Sequence, residues 1–128
     1  MKDEELVKIA LRARDNAYAP YSGFSVGAAL LTEKGNVYSG CNVEAAAFGA
    51  GFCAECCAVG NAISSGDRNF SVIAVASSGD ELCVPCGICR QMLFEFAPDL
   101  QVICADRHGN FKKYKLTDLL PHAFGKSW

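Results

Sequence analysis

With 128 residues, a hydrophobic share of 51% and a formal charge of −2, the chain has the size and composition of one compact domain, residues 1–128, that can build a core without disulfide staples. Twelve Lys and Arg against fourteen Asp and Glu, with no basic cluster, argue against a nucleic-acid-binding surface. The acidic start Met1-Lys2-Asp3-Glu4-Glu5 does not read as an export signal. The apolar stretch 45–54, bracketed by Glu44 and Glu55, is about half as long as a membrane span. No membrane association and a cytoplasmic location are expected, and there a thiol-rich chain binds metal more readily than it forms disulfides.

Leu6, Ile9, Ala10, Ala13 and Ala17 recur at helical spacing until Pro20-Tyr21-Ser22-Gly23, so an amphipathic helix opens the chain. Residues 26–31 and 37–41 flank Glu33-Lys34-Gly35-Asn36 and read as an antiparallel pair. A helix over 53–63 stops at Ser64-Ser65-Gly66, and 72–76 follows as a buried strand. Pro85 suits the first turn of a helix over 86–96, which Pro98 ends. Residues 102–105 and 111–115 form a second glycine-turned pair, and Thr117 caps a short helix through Leu120. The order α-β-β-α-β-α-β-β-α implies a central mixed sheet with helices on its faces.

Eight cysteines stand in the chain, and the informative ones fall at predicted helix starts. Cys53 and Glu55 head one helix, while Pro85-Cys86-Gly87-Ile88-Cys89 opens another. Unpaired N–H groups and the helix dipole favour the thiolate, the form that ligates a metal. Three thiolates at one point leave a fourth tetrahedral position for water, which distinguishes a catalytic zinc from a structural one. Two other metal sites compete with Cys53, Cys86 and Cys89: a closed site on Cys53, Cys56, Cys86 and Cys89, and an iron–sulfur site on Cys83, Cys86 and Cys89. The 29 residues between Cys56 and Cys86 exceed the usual zinc-ribbon spacing, and an iron–sulfur site gives Glu55 no role.

Cys53-Ala54-Glu55 followed by Pro85-Cys86-Gly87-Ile88-Cys89-Arg90-Gln91 resembles the zinc-dependent cytidine deaminases of the cytidine/deoxycytidylate deaminase family. The resemblance extends to Pro20-Tyr21-Ser22-x-Phe24-x-Val26-Gly27-Ala28, Gly40-Cys41-Asn42-Val43-Glu44 and Leu119-Leu120-Pro121-x-Ala123-Phe124-Gly125, in the order of the small-subunit enzymes. It implies a three-layer α/β/α fold around a five-stranded mixed sheet, with Zn2+ on Cys53, Cys86 and Cys89. Glu55 is then the proton shuttle for hydrolytic deamination of cytidine and deoxycytidine to uridine and deoxyuridine in pyrimidine salvage. Asn42 and Glu44 match residues that bind the sugar 3′-hydroxyl, Phe24 lines the base pocket, and the backbone at Ala54 meets the pyrimidine carbonyl. Phe124 matches an aromatic that stacks on the base from a neighbouring subunit, which implies a homotetramer with shared sites.

The chain departs from the family pattern beside the site. Ala45, Ala47 and Phe48 stand where Asn, a small polar residue and Tyr are common. Cys56 replaces an arginine that offsets the charge of three thiolates, leaving Arg90 as the nearest candidate for that task in sequence. Cys41, Cys57, Cys83 and Cys104 read as small buried hydrophobes, and His108 and His122 as turn residues rather than ligands. The closest alternative function is a blasticidin S-type aminohydrolase with the same zinc chemistry, and a non-catalytic zinc module is the competitor from a different class.

Overall fold

The structure is a computed structural model and describes residues 1–126. Helix α1 (Asp3–Arg14) leads into the hairpin β1 (Val26–Thr32) and β2 (Val37–Cys41), a 3-10 turn (Phe48–Ala50) and α2 (Ala54–Ser64). Strand β3 (Phe70–Ser77), α3 (Gly87–Phe96), the hairpin β4 (Gln101–Ala105) and β5 (Phe111–Lys115), and α4 (Leu116–Leu119) complete the chain. The sheet order is β2-β1-β3-β4-β5, with β3 and β4 parallel and the other neighbours antiparallel. This is the expected five-stranded mixed sheet.

Side chains alternate across a strand, and here both faces are apolar, so helices cover both. Ala29, Ala74, Ala76, Ile103 and Ala105 point toward Leu6, Val7 and Ala10 of α1. Ala28, Leu30, Ile73, Val75, Val102 and Cys104 point the other way, toward Ala54, Ala58, Val59 and Ala62 of α2 and Leu93 of α3. Two glycines set how closely the helices approach. A Cβ on Gly27 would collide with Ala10 O and the Arg14 backbone. A Cβ on Gly40 would lie 2.5 Å from Ala54 O and Ala58 N, so the absence of a side chain on β2 lets the first turn of α2 rest against the sheet.

The departures from the expected elements have local causes. The opening helix ends at Arg14 rather than Ala17, because Tyr18 N–H donates to Asn42 O and Glu44 N–H to Tyr18 O, drawing the chain into an extended bridge beside Val43. Pro85 precedes α3 and Cys86 is its N-cap, so the first helical residue is Gly87. Thr117 caps nothing. The last helix already begins at Leu116, which is buried and donates its N–H to Leu100 O. The 3-10 turn and the polar ends of β3, at Ser71 and Ser77, lie outside the expected elements.

Candidate active site

α2 and α3 lie on the same face of the sheet, and each starts with a cysteine at its N-cap, Cys53 and Cys86 respectively. Cys89, one turn into α3, is fully buried. The Sγ atoms of Cys53, Cys86 and Cys89 all lie within 4.8 Å of one another. Cys53 and Cys86 are 3.9 Å apart, and Cys86 and Cys89 are 3.6 Å apart. Sulfurs held tetrahedrally at the zinc–thiolate bond length of about 2.3 Å are separated by about 3.8 Å, so the Cys53–Cys86 and Cys86–Cys89 pairs already stand close to the spacing the ion requires. Among the described residues this is the one group of ligating side chains that meets such a test.

The thiolate that the helix starts were expected to favour is favoured at Cys86 alone, because burial and mutual repulsion outweigh the helix-start N–H groups at Cys53 and Cys89. Burial pushes the Cys53 thiol up to about 11, reinforced by Cys86 and Glu55 and opposed by the Cys89 thiol. Burial, with Glu55, Cys53 and Cys56 adding to it, raises Cys89 further. On Cys86 burial also acts upward, but the backbone N–H of Cys89, the thiols of Cys89 and Cys53, and the backbone N–H of Ile88 outweigh it and draw the group below the ordinary thiol value. Such a crowded cluster resists full ionisation by itself, and a divalent cation at its centre removes the conflict.

Glu55, the second residue of α2, is only 4% exposed. Burial raises its carboxyl above the usual carboxylate range, while its own backbone N–H and the Cys89 thiol pull it down. A carboxyl raised in this way beside a metal-binding cluster holds a proton more readily than an exposed one, which suits a proton carrier. Glu55, Cys53 and Cys86 line a cavity of about 700 Å³ together with Phe24, Asn42, Glu44 and Ala54. Seven of the nine candidate site residues therefore share one cavity, and the fully buried Cys89 is not among those that line it. Phe124 does not line this cavity: its side chain is 74% exposed and its carbonyl accepts a hydrogen bond from Gln91 Nε2 at 2.7 Å.

Asn42 and Glu44 also organise the cavity rim. Asn42 Oδ1 accepts from Val26 N–H at 2.9 Å, and its Nδ2 donates to Phe24 O at 2.9 Å. Glu44 Oε1 accepts from the N–H groups of Tyr21 and Ser22 at 3.0 and 3.1 Å, and Oε2 accepts from the Ser22 hydroxyl. The role of Ser22 was not legible in the sequence, where it is one polar residue in a turn cluster. The ring pair Tyr21 and Phe48, edge to face at 6.0 Å, was equally hidden.

Two readings, of the remaining thiols and of Arg90, are corrected. Cys104 is buried as expected, but Cys41, Cys57 and Cys83 are half-buried, and Cys83 lines the cavity. Cys56 lies 4.0 Å from Cys89 yet falls outside the mutually close trio. Arg90 commits its guanidinium to Pro85 O and Leu119 O, both at 2.7 Å, and thus braces the start of α3 against the end of α4. Its charge reaches Cys104, whose thiol it pulls down against burial.

The fold and the thiol trio define an α/β protein with a zinc-binding site at paired helix N-termini. A family model described as the cytidine and deoxycytidylate deaminase zinc-binding region matches residues 1–105, and the chain belongs to that family. Its cofactor is Zn2+, and Cys53, Cys86 and Cys89 form the cluster that fits it. The chain is 41% identical over 127 residues to a cytidine deaminase of Sporosarcina psychrophila, covering 98% of this chain and 93% of that one. A crystal structure of cytidine deaminase from Burkholderia pseudomallei superimposes with a TM-score of 0.93 at 43% identity, covering 97% of this chain and all of the other. A blasticidin-S deaminase of Bacillus cereus is 31% identical over 128 residues, covering 94% of this chain and 90% of that one.

Proposed function

We propose that the protein is a cytoplasmic, homotetrameric cytidine deaminase, residues 1–128 forming one catalytic domain. It hydrolyses cytidine and deoxycytidine to uridine and deoxyuridine in pyrimidine salvage. One observation carries the reading: a buried carboxyl, Glu55, shares a cavity with a thiol cluster spaced for zinc. Similarity to cytidine deaminases over nearly the whole chain supports it.

Bound at Cys53, Cys86 and Cys89, zinc supplies the Lewis acidity that makes water nucleophilic near neutral pH. Glu55 takes one proton from the attacking water and delivers it to ring N3, then takes the second proton from the hydroxyl now on C4 and passes it to the amine, so that the C4–N bond breaks, the C4 carbonyl forms and ammonia departs. Its buried position keeps that proton from bulk water. Ala54, the first residue of α2, offers a backbone N–H without an intrahelical partner to the pyrimidine carbonyl. Phe24 lines the base pocket, and Asn42 and Glu44 hold the sugar 3′-hydroxyl.

No lysine or arginine lines the cavity among the described residues, which favours a neutral nucleoside over a phosphorylated or polymeric substrate. Eight free thiols suit a reducing compartment. Phe124 and Ile88, both 74% exposed, and Phe48 at 81% are apolar surface of the kind that subunit contacts cover. In this reading Phe124 enters the cavity of a neighbouring subunit.

The deciding assay offers the purified protein cytidine, deoxycytidine, cytidine monophosphate and blasticidin S, follows the loss of cytosine absorbance, and counts zinc per chain. Conversion of the two nucleosides with one zinc per chain is expected. Turnover of blasticidin S alone would transfer the site to the other aminohydrolase class, and zinc without any turnover would leave a binding module.

A further inference from the structure

We propose that Ser22 is a positioning residue whose hydroxyl sets the direction of the Glu44 carboxylate toward the substrate sugar and ties it to the base-pocket residue Phe24. The inference rests on the deaminase reading above and adds to it a residue that governs recognition of the sugar.

The geometry is a relay through one oxygen. Phe24 N–H donates to Ser22 Oγ at 3.0 Å, and that hydroxyl donates its proton to Glu44 Oε2. A hydroxyl has a single proton, so its use toward Glu44 fixes the hydroxyl as the acceptor toward Phe24. The two bonds polarise one another in the same sense. Without them Glu44 Oε1 would still accept the backbone N–H groups of Tyr21 and Ser22, but Oε2 would lose its protein partner. No described lysine or arginine forms an ion pair with Glu44. The orientation of the second oxygen therefore depends on Ser22. The same dependence appears in the carboxyl's acidity, which is lowered first by the Ser22 hydroxyl and then by the Ser22 N–H, against some desolvation.

The loop itself is built for this contact. Gly23 has a φ of +70°, a left-handed conformation that costs glycine little, and it turns the chain so that Ser22 and Phe24 approach one another. Asn42 holds the far end of the same loop through Val26 N–H and Phe24 O. Ser22 is exposed, so truncating it removes a local relay without opening the core.

The test compares Ser22→Ala and Ser22→Thr with the wild-type holoenzyme on cytidine and 3′-deoxycytidine. In Ser22→Ala, KM for cytidine should rise by about tenfold, the size of a lost hydrogen bond to a charged group, with a smaller change in kcat. The preference for cytidine over 3′-deoxycytidine should shrink by a similar factor, because the misdirected carboxylate acts on the missing hydroxyl. Ser22→Thr should restore both, while zinc content and melting temperature stay at the wild-type value in each variant. Unchanged KM and preference in Ser22→Ala, or an equal loss on both substrates, would overturn the proposal. A wild-type protein that converts neither nucleoside would overturn the deaminase reading, and this inference with it.

Discussion

The floor and the rim of the cavity are built by different means. At the floor, Cys53, Ala54 and Glu55 begin one helix and Cys86 to Cys89 begin another, both packed on the sheet, with Gly40 allowing the closest approach. At the rim, Phe24, Asn42, Glu44 and Phe48 sit on connecting segments held by side-chain hydrogen bonds and one aromatic pair. Bond making needs reacting groups fixed to within fractions of an ångström, which packed secondary structure provides. Recognition of a sugar tolerates more freedom, and loops supply it. The departures at Ala45 and Phe48 lie at the rim, Ala47 does not line the cavity, and Cys56 lies in the first turn of α2 at the floor.

The largest effects are expected at the floor. Cys86→Ala or Cys89→Ala should abolish zinc binding and with it all turnover, and should lower the unfolding midpoint, because metal and folding free energies are linked. Full zinc occupancy in both variants, measured by metal analysis, would show that the thiol trio is not the site. Glu55→Gln should retain zinc and the melting temperature but lower kcat by roughly 10²–10⁴-fold, since an amide fills the same space without carrying a proton. Retained turnover would break the division of labour between metal and carboxyl.

Most of the floor was legible in the sequence because helix starts are marked locally: a small-residue run after Cys53, a proline before Cys86, and cysteines three apart. The sheet was legible because its strands alternate between glycine-bearing turns, although the polar ends of β3 shortened the reading. The rim was legible only through resemblance. Asn42 and Ser22 are ordinary turn residues by type, and their bonds to Phe24, Val26 and Glu44 join positions 16 to 22 residues apart, except for the local Ser22–Phe24 contact. Arg90 was misread for a related reason: sequence adjacency to Cys89 suggested a charge partner, whereas the helix directs its guanidinium to carbonyls at Pro85 and Leu119.

A smaller effect is expected at the rim from Phe124→Ala. If a neighbour's ring stacks on the base, the change should weaken substrate binding by about 1–3 kcal/mol with normal zinc content. Mixing these subunits with Glu55→Gln subunits and allowing them to re-equilibrate should then restore part of the activity, because some cavities regain both Glu55 and a partner aromatic. No recovery, or a fully active wild-type monomer in sedimentation, would confine the site to a single chain.

The smallest expected effect is the most informative about the floor. Cys56 Sγ lies 4.0 Å from Cys89, near enough that a closed four-thiolate site on Cys53, Cys56, Cys86 and Cys89 has to be tested directly. Such a site would leave no position for water, and the cavity above it would be without chemistry. Cys56 nevertheless lies outside the group whose sulfurs are all within 4.8 Å of one another, so it adjoins one ligand instead of sharing the ion. Cys56→Ala should therefore keep one zinc per chain and change stability by no more than about 1 kcal/mol, as expected for removing one half-buried sulfur. Loss of zinc from Cys56→Ala, at a level matching Cys86→Ala, would replace the open three-thiolate site with a closed structural one and leave Glu55 without a reaction to serve.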